Sequence, residues 1–420
     1  MAVITFGPFS FNTATARLAR DTVEIRLRPQ GIQVLRVLLQ HRGCSIGYEQ
    51  LITEAWPGTF VSRHTVDVTA GEVKKALGEY GPWIVRRPKV GYSLDVPSSD
   101  ELVRKGWHFF SRRTKEGAER AIGCFLEASA QYPGDAKALE GLSTCYLMQA
   151  TFGIRPPLEA YPQFLEAHER AVAAGGLTPE LRCNRAHGLY MFEHRPREAE
   201  AQFRQALADK PSCGTAHVRL AMLYATLGNL DQALAEIRQT YEVEPLLPTL
   251  PSTNVNVHVW RGEFDQAIAI GSSAIELHPY LQISRANYAQ ALEFSGCLAE
   301  ALAQYQIGSM MAGDLPWMRA LEGTCLAKLE RIQEARAILD ELEHRRSTEY
   351  CDALYMAVFR NTLGERERAL QELERAFEES STFLHTIDVD PKMAPFRDDP
   401  RFTRMRAALR ARWSREQGHT

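Results

Sequence analysis

The sequence holds no run of 18 apolar residues, so a membrane-spanning helix is not expected. Its opening stretch, MAVITFGPFSF, has neither a basic leader nor a long apolar core and does not read as a secretory signal. Paired cysteines are missing too. Among the eight cysteines there is no C-x-x-C, and neighbours stand at least 21 residues apart. That pattern fits reduced, core-type thiols in a cytoplasmic protein and argues against a zinc site or a disulfide framework. The patterns G-x-G-x-x-G, G-x-x-x-x-G-K-[ST], H-E-x-x-H and G-x-S-x-G are all absent. His187 and His194 share a helical unit but lie seven apart without a carboxylate arrangement. Asp388, Asp390, Asp398 and Asp399 are punctuated by proline and read as turn and cap residues. No catalytic residue, metal ligand or cofactor is therefore expected.

What is present points to a globular chain of more than one domain. Of 420 residues, 45% are hydrophobic and 24% charged, values typical of packed proteins. The formal net charge of −3 conceals a division. Residues 1–96 carry 12 basic and 8 acidic side chains, net +4, while the rest carry 37 and 44, net −7. A weakly basic head ahead of an acidic body suggests a nucleic-acid module attached to something that is not one.

A 34-residue period runs through the body. Ala199, Ala233, Ala267, Ala301, Ala335 and Ala369 keep that step, as do Pro211, Pro245 and Pro279. Gly228, Gly262 and Gly296 keep it as well; it skips Glu330 and returns at Gly364. One unit, Ala216 to Pro245, reads AHVRLAMLYATLGNLDQALAEIRQTYEVEP. Apolar residues recur at three and four within each half, which is helix spacing. Glycine falls where the first helix ends, and proline stops the second. Alanine belongs where two helices cross too closely for a larger side chain. The pattern resembles the tetratricopeptide repeat and gives about eight units between residues 101 and 381, the second interrupted by TFGIRPPLEAYP. The resemblance implies an all-α superhelix whose concave face takes a peptide, a protein segment or a small ligand. Inward positions of the first helices are Asn184, Met191, Met222, Asn256, Gln290 and Trp317. Past the repeats, an amphipathic basic helix from about Pro400 to Trp413 is expected to cap the last unit.

In the first hundred residues, ITFGPFSFN, ARLAR and VEIRL read as three short antiparallel strands. RPQGIQVLRVLLQHRG and GYEQLITEAWPG read as helices, as does SRHTVDVTAGEVKKALGE, which Ser62 can cap. Val66, Ala70, Val73 and Leu77 fall on the inner face of that third helix. The stretch IVRRPKVGYSL, Ile84 to Leu94, then forms a strand–turn–strand. The LITEAW helix ending, the TVDV opening and the KVGY hairpin, in this order and spacing, resemble the OmpR/PhoB-type winged helix-turn-helix domain over residues 3–96. The resemblance implies a third helix in the major groove and a wing on the neighbouring backbone, with Arg86, Arg87 and Lys89 as the wing's cations. The groove-facing side carries Arg63, His64, Val68, Gly71, Glu72 and Lys75, with Thr65 and Thr69 flanking. Glu72 repels phosphate, and Gly71 costs up to about 1 kcal/mol against alanine.

The expected fold class is therefore multidomain: a small α+β winged helix-turn-helix domain (1–96), a linker (97–101), an all-α tetratricopeptide superhelix (102–382) and a capping segment (383–420). The arrangement is similar to CadC/ToxR-like and HilA-like regulators, without their membrane helix where they have one. With no receiver domain expected ahead of residue 3, control by aspartyl phosphorylation is not expected. Implied partners are double-stranded promoter DNA and RNA polymerase, with a peptide, protein or small ligand in the repeat groove, and the protein would be cytoplasmic. One head with so few groove-facing cations should bind a half-site weakly, so a homodimer is expected on DNA. A scaffold whose winged domain binds protein is the competing expectation.

Overall fold

The computed structural model describes residues 3–20, 23–112, 114–311 and 315–414. Contacts divide the chain into two compact units, Met1–Lys105 with Gly123–Ala138, and Gly106–Ile122 with Leu139–Thr420.

In the first unit, β1 (Val3–Phe6), β2 (Phe9–Asn12), β3 (Arg17–Arg20) and β4 (Val23–Ile25) form one antiparallel sheet in chain order. The expected three strands are thus four, because ITFGPFSFN folds back on itself in a hairpin pairing Phe6 with Phe9. Three helices follow: α1 (Pro29–Gln40), α2 (Tyr48–Ala55) and α3 (Arg63–Ala76). Ser62 caps α3 by accepting from the Thr65 amide. Val66, Ala70, Val73 and Leu77 are all at most 1% exposed, on the face the 3.6-residue period selects. The second sheet runs β5 (Ile46–Gly47), β7 (Gly91–Leu94), β6 (Ile84–Arg87). Glycine is required at position 91: a Cβ there would lie 2.0 Å from the Ile46 carbonyl oxygen, blocking the β5–β7 pairing. The connecting stretch after β7 is tied down within this unit. The Tyr132 hydroxyl donates to the Pro97 carbonyl (3.3 Å), and Ser99 donates to Asp135.

Among the described residues, the sixteen helices that come next follow one another as eight helix–turn–helix pairs. They are α4 (Ser99–Phe110) with α5 (Lys115–Gln131), α6 (Ala136–Thr151) with α7 (Pro157–Gly175), and α8 (Pro179–Met191) with α9 (Pro196–Asp209). Next come α10 (Gly214–Thr226) with α11 (Leu230–Val243), α12 (Thr249–Arg261) with α13 (Phe264–Leu277), and α14 (Gln282–Phe294) with α15 (Leu298–Met311). The last are α16 (Pro316–Lys328) with α17 (Ile332–Arg345) and α18 (Ala353–Thr362) with α19 (Arg366–Glu378). All six periodic alanines are fully buried. Among the described residues no helix is long and apolar enough to cross a membrane.

The backbone repeats with the sequence. Gly228, Gly262, Gly296 and Gly364 have φ between 76° and 91°, where helix one of each pair ends. His194 and Glu330 occupy the same phase with φ of 58° and 59°. The left-handed turn is therefore fixed by the fold, and two side chains tolerate it rather than remove it.

After the repeats, two 3-10 turns (Leu384–Thr386 and Pro391–Phe396) lead to α20 (Pro400–Ser414). Phe402 and Leu409 of α20 are buried in one cluster with side chains of α18 and α19. Three of its arginines are paired, Arg401 with Glu367 of α19 (2.6 Å) and Arg406 and Arg410 with Asp388 of the preceding stretch (2.6 and 2.9 Å). The stretch before α20 is more than a cap. Buried Asp352 accepts from the Ser381 hydroxyl and the Thr382 amide, and the Thr382 hydroxyl donates to the Ala150 carbonyl (2.8 Å). Residues 382–392 are thereby placed along the inner face of the second unit.

Glu330→Gly should raise stability by about 0.5–1 kcal/mol, the left-handed penalty of an L residue less the extra chain entropy of glycine. Gly262→Ala, where a Cβ meets nothing within 4 Å, should lose roughly 1 kcal/mol from conformation alone. Urea unfolding of the three proteins checks both signs.

Candidate nucleic-acid interface and repeat cavity

Along α3, Arg63, His64, Val68, Gly71 and Lys75 are exposed, and Thr65 and Glu72 are half-buried. Thr69 is not on this surface. It is 7% exposed, and its hydroxyl donates to the Thr65 carbonyl (2.8 Å), because the helix turns that side toward the core. Glu72 is neutralised by Arg28 at 3.2 Å, which softens the repulsion its charge would exert on a polyanion. Arg63 lies over the Tyr48 ring, 5.4 Å from its centroid, and forms no ion pair among the described residues.

The wing differs from its sequence reading in how its charge is disposed. Arg86 pairs with Asp67 (2.9 Å) and donates to the Tyr48 hydroxyl (3.3 Å). Asp67 also accepts from Tyr48 (2.6 Å) and Tyr92 (2.8 Å). This carboxylate on α3 therefore fastens the helix to both strands of the wing. Burial pushes the Asp67 carboxyl up, but the two phenol bonds, Arg86 and His64 outweigh it and hold it below the usual carboxylate range. Arg87 pairs with Asp95 (2.6 Å) and donates to Ser93 (3.3 Å). Two of the three wing cations are thus spent inside the domain. Lys89, at the tip with φ of 63°, forms no ion pair among the described residues, and Val90 beside it is 49% exposed.

In the second unit, Asn184, Met191, Met222, Asn256, Gln290 and Trp317 all line one cavity of about 370 Å³. Three of these six already use their polar atoms. Asn184 donates to Thr144 (2.9 Å) and accepts from Arg219 (2.8 Å). Gln290 accepts from Lys392 (2.9 Å), and the Trp317 indole donates to the Phe152 carbonyl (3.0 Å). Sequence reasoning passed over Arg219, Tyr190, His385 and Lys392, which share the lining. For Arg219 a signal existed: it is a lone cation inside the apolar run HVRLAMLYA. For His385 and Lys392 there was none, because nothing local says that a segment after the repeats turns back inside. No group of three or more potential metal ligands occurs among the described residues.

Residues 22–94 match the family described as transcriptional regulatory protein, C terminal, and residues 189–245 match the tetratricopeptide repeat. The chain thus carries an OmpR/PhoB-type domain at its N-terminal end and tetratricopeptide repeats behind it. The head is similar to the transcriptional activator CadC of Escherichia coli K12, with 29% identity over 99 residues, 23% of this chain and 19% of that protein. It is also similar to the transcriptional regulatory protein CutR of Streptomyces coelicolor, with 37% identity over 76 residues, 18% of this chain and 35% of that one. The chain therefore spans between a fifth and about a third of the curated relatives it matches. Among solved structures, a human IFIT1 dimer with PPP-AAAA covers 88% of this chain and 91% of its own at 14% identity, TM-score 0.53, a likeness of helical-repeat fold.

Asp67→Asn and Arg86→Ala should each lower the melting temperature of the first unit. Because the folded Asp67 carboxyl titrates below its unfolded range, its contribution is present above about pH 4 and lost as pH falls through the folded value. The Asn variant should lack that part of the acid slope. Melting curves of both proteins between pH 7 and 3 test this, and parallel curves would mean the cluster carries no stability.

Proposed function

We propose that this protein is a sequence-specific, DNA-binding transcription regulator and not an enzyme. In this reading α3 enters the major groove and the β6–β7 wing lies on the adjacent backbone. The observation that carries it is the exposed strip of Arg63, His64, Val68 and Lys75 on a capped helix, inside a segment matching a transcription-regulator family. CadC and CutR, named as transcriptional regulators, support the same reading. His64 and Lys75 read base edges, Val68 offers an apolar contact for a thymine methyl, and Thr65 flanks them. Phosphate contact falls on Arg63 and Lys89, which form no ion pair among the described residues, rather than on Arg86 and Arg87. The repeats act as the sensing, partner-binding or oligomerisation half, with promoter DNA and RNA polymerase as partners. With so few cations on this face one head is a weak binder, so two copies on adjacent half-sites are the working assembly.

The spent wing arginines favour one rival, a winged domain that binds protein instead of DNA. Salt separates the two, since phosphate contact weakens steeply between about 50 and 200 mM. Arg63→Ala with Lys89→Ala should weaken binding to all sequences alike and flatten the log–log salt slope by about one per cation. His64→Ala or Lys75→Ala should instead reorder the preferred sites. Titration of full-length protein against a bound-site library decides it: no binding by the parent at low salt would establish the rival.

A further inference from the structure

Arg219 sits in the middle of α10 and lines the cavity of the second unit. Its guanidinium donates through Nη1 to Asn184 Oδ1 at 2.8 Å, and it forms no ion pair among the described residues. Asn184 is held in that orientation because its amide nitrogen donates to the Thr144 hydroxyl at 2.9 Å. Two more polar side chains of the lining are unsatisfied. The Tyr190 hydroxyl and His187 Nδ1 have no hydrogen-bond partner among the described residues, and the two residues are 3% and 8% exposed. His187 Nε2 already meets Thr151 at 3.1 Å.

The acids of the lining do not supply a counter-charge. Glu180 is paired with Lys210 (2.7 Å) and Asp390 with Lys392 (2.8 Å). Glu140 stands a helical turn ahead of Thr144, near Glu180, and forms no ion pair with Arg219 among the described residues. His187 adds no second cation, since burial and the charge of Arg219 hold its imidazole neutral. Of the two cations in the lining, Lys392 is paired with Asp390, and half-buried Arg219 is left without a counter-ion among the described residues, where partial withdrawal from water disfavours its charge. Charge withdrawn from water without a partner is costly, and a folded chain keeps it where something else completes the pair.

Around this charge the wall is apolar and soft: Met191, Met222 and Trp260 lie on it, and Phe383 is contributed by the stretch after the repeats. The cavity has the size of small-molecule sites, about 300–1,000 Å³. Residues 382–392 form part of its wall, tied through Thr382 and Lys392, which favours an enclosed molecule over a chain passing through.

We propose that this cavity binds a small organic acid, with its anionic group on Arg219 and its apolar body against Met191, Met222 and Trp260. The proposal names the ligand class for the repeats as the sensing half, and it rests on that reading. A carboxylate or phosphate accepts two hydrogen bonds from the guanidinium fork, and the Tyr190 hydroxyl is at hand to donate a third.

The test uses full-length protein, with melting temperature and tryptophan fluorescence as readouts, since Trp260 and Trp317 line the cavity. The probes are inorganic phosphate, acetate, phenylacetate and the neutral phenylacetamide. Phenylacetate should stabilise the protein and change its fluorescence, with phenylacetamide weaker by about tenfold or more. Arg219→Gln should weaken phenylacetate by about as much, and Arg219→Lys should keep part of the affinity. Asn184→Asp supplies an internal counter-ion in a chain that still folds; it should raise the melting temperature and abolish the anion's effect. Phosphate binding at least as tightly as phenylacetate would support the site and make phosphate its group. The proposal is overturned if the amide matches the acid, if Arg219→Gln and Asn184→Asp bind like the parent, or if none of the three anions binds. DNA affinity of the same preparations keeps the two readings apart: a parent that fails to bind DNA sinks the regulator and leaves the anion result standing.

Discussion

Two helices can cross closely only where neither offers a bulky side chain, and the second unit is arranged around that constraint. Every 34 residues an alanine is buried completely, and five residues ahead of it the chain turns through a left-handed residue. The alanine sets how near the helices come, and the turn sets how the second leaves the first. Once both recur, each pair presents its first helix to the same interior. That is how Asn184, Met222, Asn256 and Gln290, spread over more than a hundred residues, come to face one cavity. Where the phase lacks glycine, at His194 and Glu330, the turn persists, because neighbouring pairs hold the geometry from both sides.

Periodic features were legible because they are local. The alanines, the glycines, the Ser62 cap and the inner face of α3 all follow from spacing along one element, and spacing is what a sequence displays. The hairpin of the head's second sheet was legible for a similar reason, being contiguous, whereas its third strand, β5, pairs from a distance in the chain and was not. What escaped was pairing between elements. Asp67 stands next to an inner-face residue and reads as an outward acid, yet it gathers Tyr48, Tyr92 and Arg86 from three other elements. Nothing in IVRRPKVGYSL announces that its first two arginines are already engaged. Thr69 escaped because it lies at the edge of the helical face, where a small rotation decides between core and surface.

The cavity shows the same division. Its six sequence-designated residues follow from the repeat phase, whereas its charge and one of its walls do not. Arg219 stands one position after a buried valine, where the period alone leaves its direction open. The segment from 382 to 392 carries no repeat signal. Asp352 fixes its course, a carboxylate that caps α18 and receives Ser381 and Thr382 at the same time. One buried acid thus couples the end of the array to its interior.

Arrays of stacked pairs ordinarily behave like a row of dominoes, each unit answering only to its neighbours. Here the bonds from Thr382 to Ala150 and from Trp317 to Phe152 span 232 and 165 residues. They join the far end of the row to its second unit. A row so closed cannot fray from its tail without also loosening the α6–α7 corner, so melting should be a single collective event rather than a progressive one. The same closure is slow to reach, since the ends must meet across most of the unit before either bond rewards them.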